Sequence, residues 1–122
     1  MSNSLTLTVA EFDKMVQCGA FEHLNRKVEL IRGEIRTMNP AGTILNDLIA
    51  FLLDWSVRST NRNEIRVTVQ AGIDLRALQS QPEPDLAWVR ADRYRDKHPT
   101  AEDVRLAIEV SDSSLETDWL KS

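Results

Sequence analysis

Apolar and polar positions alternate along this chain in two rhythms, one helical and one extended. Over residues 8–18 the apolar side chains Val9, Phe12, Met15 and Val16 recur at helical spacing. Thr8 stands where a helix cap belongs, Glu11 follows three residues later, and Gly19 is a natural stop. From Thr43 to about Arg58 a longer helix is predicted. Its stripe is Leu45, Leu48, Ile49, Leu52 and Leu53, and Phe51 and Trp55 widen the apolar surface, so cover on more than one side is expected. A last helix is predicted after Ser113 or Ser114, with Glu116 near its start, Leu115, Trp119 and Leu120 apolar, and Asp118 and Lys121 one turn apart.

The extended rhythm appears four times. Residues 27–38 read as a hairpin about Arg32-Gly33, with Glu29 and Glu34 expected as solvated carboxylates on its two arms. Pro40-Ala41-Gly42 breaks the second arm. Residues 65–75 alternate cleanly, Ile65 to Leu75 against Arg66 to Asp74. Pro82 and Pro84 hold the approach to Asp85 extended, and Leu86–Val89 is a short buried strand. A charged connection follows, with one helical turn expected before Pro99 and His98 read as a loop histidine. Val104, Leu106, Ile108 and Val110 then form an apolar row, which places Glu109 on the opposite face. Helix, hairpin, long helix, three strands and a helix together predict an α/β or α+β sheet with helices against it.

At 122 residues the chain is expected to form a single domain spanning 1–122. Its 42% apolar and 28% charged residues are ordinary globular composition. No apolar run approaches the roughly 20 residues of a membrane span, and MSNSLTLTVAEF lacks the pattern of a secretory leader. Cys18 is the single cysteine, read as a small structural residue, so no internal disulfide forms and a cytoplasmic setting is expected. The net charge of −4 argues against coating nucleic acid by charge alone, so any DNA contact must use a local patch.

Two carboxylates are not asked for by packing: Asp85 opens one apolar run and Glu109 lies near the end of another. An unpaired buried carboxylate costs several kcal/mol, so both belong at strand ends or on an open face. If those strands pair suitably, the two acids and a backbone carbonyl suit a magnesium ion that bridges to a phosphate. The plain alternative is a pair of solvated strand-end acids.

VELIRGEI, the NPAG turn opening the long helix, PEPDLAWV and LAIEVSDSSLETD occur in this order. Together, over about residues 5–121, they resemble the successive blocks of the Uma-two family, restriction endonucleases of the PD-(D/E)XK nuclease superfamily. The resemblance implies a restriction-endonuclease-like core, a central mixed β-sheet flanked by α-helices. It implies a DNA endonuclease using magnesium or manganese, with Asp85 of the PD element and Glu109 as metal-ligating acids and the Val110 carbonyl as backbone ligand. Glu29 matches an acid near the family's site. The base that orients the attacking water is expected from the last helix, at Lys121, with Asp118 preceding it.

The chain departs from the family pattern at three places. Leu45 stands where a histidine is usual, Ser111 stands where the superfamily's simplest form has lysine, and the commonest register for the helix-borne base falls on Ser122. The strand or strands that close the family's sheet are expected to be missing, which leaves an edge and predicts self-association as a homo-oligomer. The leading functional reading is a metal-dependent endonuclease. The alternative is a catalytically inactive remnant serving as a binding or dimerisation module.

Overall fold

In a computed structural model the described residues are 5–38 and 42–110. The class is mixed α+β, as the hydrophobic pattern and the family resemblance lead one to expect, and it is compatible with a restriction-endonuclease-like core. Helix α1 spans Val9–Gln17, followed by β1 (Lys27–Ile31) and β2 (Glu34–Met38). Helix α2 (Thr43–Ser59) precedes β3 (Ile65–Val69), β4 (Leu86–Arg90) and β5 (Val104–Ile108). Among the described residues the strands form two antiparallel sheets, β1-β2 and β3-β4-β5, and the parallel element is a single bridge between Asp74 and Thr100.

Both ends of α1 are fixed by local chemistry. Thr8 and Glu11 form the reciprocal capping box, with the Glu11 N–H donating to Thr8 Oγ1 at 3.1 Å and the Thr8 N–H to Glu11 Oε1 at 2.9 Å. At the other end Gly19, at φ +80°, donates to the Val16 carbonyl and Ala20 donates to Met15, the pairing of a Schellman stop. Cys18 lies exposed at that stop. Val9 and Phe12 bury against Leu30 of β1, with Leu7, Phe21 and Val28 around them. The hairpin turns at Arg32 (φ 51°) and Gly33 (φ 81°), two left-handed residues in a row, as a type I′ turn requires.

A second cluster lies behind the three-stranded sheet, where Ile73, Ala87 and Val89 pack with Leu75, Tyr94 and Val104. The other face of that sheet meets α2, which buries Ile49 and Ser56 and stacks Trp55 on Trp88 at 5.6 Å between ring centroids. The cover expected for α2 is incomplete among the described residues: Ile44 is 80% exposed and Phe51 62%, with Leu48 and Trp55 also exposed.

Three local expectations are corrected. The strand predicted over 65–75 ends at Val69, because Gln70 takes a left-handed φ of 48° and turns the chain away. Residues 73–75 then bond to Pro82, Pro99 and Ser80 instead of to a neighbouring strand. The helical turn expected before Pro99 falls after it, at Ala101–Asp103, where Thr100 and Asp103 form a second capping box. The apolar row of β5 is split by a bulge at Trp88/Val89: Val104 sits opposite Val89, whereas Leu106 and Ile108 sit opposite Trp88 and Leu86. The predicted last helix, with Asp118 and Lys121, lies outside the described residues.

Candidate active site

The β4–β5 register brings the two unexplained acids together. Leu86 pairs with Ile108, so one step further along the antiparallel register Asp85 faces Glu109. Both lie on the face that carries Ala87 and Ala107, away from α2, so Glu109 does point opposite Leu106 and Ile108. Asp85 is buried, and its Oδ2 accepts the Val110 N–H at 2.8 Å, which ties the start of β4 to the end of β5. The Asp85 carbonyl accepts the Gln70 N–H at 3.1 Å.

The hairpin supplies the other wall. Strand β1 is joined to residues 79–81 by paired backbone bonds between Leu30 and Gln81 and by the Gly33 N–H donating to the Gln79 carbonyl. Arg32 adds a bond to Ser80 Oγ at 2.8 Å. Lys27 and Glu29 are two residues apart on this strand and therefore share a face. Glu29 Oε1 accepts the Glu83 N–H at 3.0 Å, and Lys27 Nζ stands 3.4 Å from Glu29 Oε1 and 3.8 Å from Asp85 Oδ1. All three side chains are nearly enclosed, at 14% exposure for Lys27, 12% for Glu29 and 11% for Asp85. Glu29 is thus not the solvated strand carboxylate expected from composition. Leu30 packs under α1, which pulls that stretch of β1 inward, whereas Glu34 on the other arm stays open.

Crowding of acids shows in their proton affinities. Burial pushes the Glu109 carboxyl above its ordinary value. Lys27 opposes the shift, Asp85 and Glu29 add to it, and the Asp85 backbone opposes it again. The Glu83 carboxyl is raised by burial first, lowered by Lys27 and raised by Glu29.

The structure brings Asp85, Glu109, Val110 and Glu29 together, while Lys121 and Asp118 lie outside the described residues. Lys27 and Glu83 were not singled out by sequence. Their available signals were the Lys-x-Glu spacing on one strand face and the extended Pro-Glu-Pro segment, both common in unremarkable strands. Among the described residues no three His, Cys, Asp or Glu side chains already stand as a metal-holding group. Two hard carboxylates nonetheless suit magnesium, which retains several waters and needs few protein ligands. The oxygen donors at Asp85 and Glu109 fit that ion in kind.

No curated protein and no solved structure matches the chain. The family model Uma2 (the Uma-two family), described as "putative restriction endonuclease", matches residues 9–121. With the match running through α1, the hairpin, α2 and both acid-bearing strands, the chain belongs to the Uma2 family.

Proposed function

We propose that this domain is a metal-dependent DNA endonuclease of the PD-(D/E)XK type, hydrolysing phosphodiester bonds with magnesium or manganese. The observation that carries the reading is the cross-strand meeting of Asp85 and Glu109, with the Val110 amide fixing the Asp85 carboxylate, in a chain of a restriction-endonuclease family. Asp85, Glu109 and the Val110 carbonyl hold the ion. When bound, it acidifies a water and stabilises charge growing on the phosphate. Lys121 orients the attacking water, with Asp118 three positions before it in the chain, and Glu29 braces the site through the Glu83 amide. The decisive assay is manganese- or magnesium-dependent nicking of plasmid DNA. Asp85→Ala abolishes it, and Lys121→Ala slows it by on the order of 10²–10⁴, the range of a general acid–base group. Nicking unchanged in Asp85→Ala would sink the assignment.

A second reading, an inactive remnant working as a dimerisation module, is favoured by one observation. Ile44, Leu48, Phe51 and Trp55 lie exposed along one side of α2 at the alternating four- and three-residue spacing of a helix-pairing seam. Calorimetry with no heat of magnesium or manganese binding would support this reading over the first.

A further inference from the structure

Resting on the metal-dependent reading, we infer that the Lys27 ammonium is a tethered counter-ion occupying the place a divalent cation takes, so that metal binds only by displacing it. Lys27 forms ion pairs with both Glu29 and Asp85, and so reaches from the hairpin to the start of β4. The oxygens already have duties. Asp85 Oδ2 accepts the Val110 N–H, which leaves Oδ1 turned to Lys27 at 3.8 Å. Glu29 Oε1 is shared between the Glu83 N–H and Lys27 at 3.4 Å. Oδ1 is thus the Asp85 oxygen with no hydrogen bond to hold it, and an ion seated there takes the oxygen that Lys27 now faces.

An ion at that oxygen and the Lys27 ammonium repel each other across a nearly enclosed space, so entry of one favours departure of the other. A lysine suits an exchangeable role, since its ammonium is a point charge on a flexible four-carbon stem. Lys27 is a positioning residue in this account. It keeps the carboxylates together before metal arrives, and it sets the concentration at which metal enters.

The test is direct binding of manganese, followed by the loss of the free-ion electron paramagnetic resonance signal, in the full chain. Lys27→Met is expected to bind manganese about tenfold or more tightly than the wild type, or to bind where the wild type does not. Lys27→Arg, which keeps the charge, is expected to stay near wild type, and Lys27→Gln makes the same comparison should the methionine variant fold poorly. Adding Asp85→Asn to Lys27→Met is expected to abolish binding, and retained binding would place the ion elsewhere and overturn the inference. Equal or weaker binding by Lys27→Met overturns it too while leaving the metal-dependent reading intact. Binding by neither protein overturns both.

Discussion

Glu109 shows most plainly what the site demands of a single residue. Its carboxyl is held above the ordinary glutamate range by burial, with Asp85 and Glu29 adding to the shift against the pull of Lys27. A carboxyl that keeps its proton more tightly when folded than when unfolded stabilises the fold most at low pH. That contribution is lost as pH rises from the ordinary glutamate range through the raised folded value. Glu109→Gln removes the loss. In thermal melts without added metal, the variant is expected to melt above the wild type near neutral pH, with the gap closing on acidification. A gap that widens on acidification would contradict this sign. Asp85 and Glu109 stood out in sequence because one opens a short apolar run and the other lies near the end of another, where packing does not ask for a carboxylate. Lys27 was not legible, because a lysine on a strand arm looks the same whether it faces water or the acids Glu29 and Asp85. Only the docking of β1 against residues 79–83 distinguishes them.

Among the elements, those fixed by local chemistry were read best. The Thr8–Glu11 box, the Gly19 stop and the Arg32-Gly33 turn each depend on residues within five positions of one another, so sequence carries them. Gly33 is held twice over, by its φ of 81° and by Thr6, whose Cβ would lie 2.8 Å from a Cβ placed there. Gly33→Ala is therefore expected to cost about 1–3 kcal/mol, the range for a non-glycine residue forced left-handed, measured by urea unfolding. A cost near zero would mean that the turn relaxes to another type. The elements misread were those decided at a distance. Strand β3 stops at Val69 because residues 73–75 bond to Pro82, Pro99 and Ser80 rather than continue the ladder, and the Trp88/Val89 bulge moves Val104 to the other face. Neither a left-handed glutamine nor a bulge has a residue-type signature in this chain.

For the whole molecule, the α+β class followed from alternating rhythms, but the division into two sheets did not, since the rhythm of a strand does not say which other strand it pairs with. The exposed side of α2 bears on assembly. A stripe of Ile44, Leu48, Phe51 and Trp55 is self-complementary when two copies pair, and burying it removes apolar surface from water on both. Light scattering at tens of micromolar is expected to give a dimer mass, and Phe51→Glu a monomer. A monomeric wild type would remove the self-association expected here. Any DNA track must likewise be local, because the net charge is −4.

The two apolar clusters, one under α1 and one behind β3-β4-β5, have no residue in common, and the site lies on the seam between them. Lys27 and Glu29 ride on the first unit, while Asp85 and Glu109 ride on the second, and the Leu30–Gln81 bridge stitches the two. An opening along that seam, far short of global unfolding, would separate the carboxylates from their lysine and from one another. Whatever binds across the seam draws on both halves at once. The ligand therefore acts as a clasp, and occupancy of the site becomes a measure of how firmly the two halves of the molecule are closed.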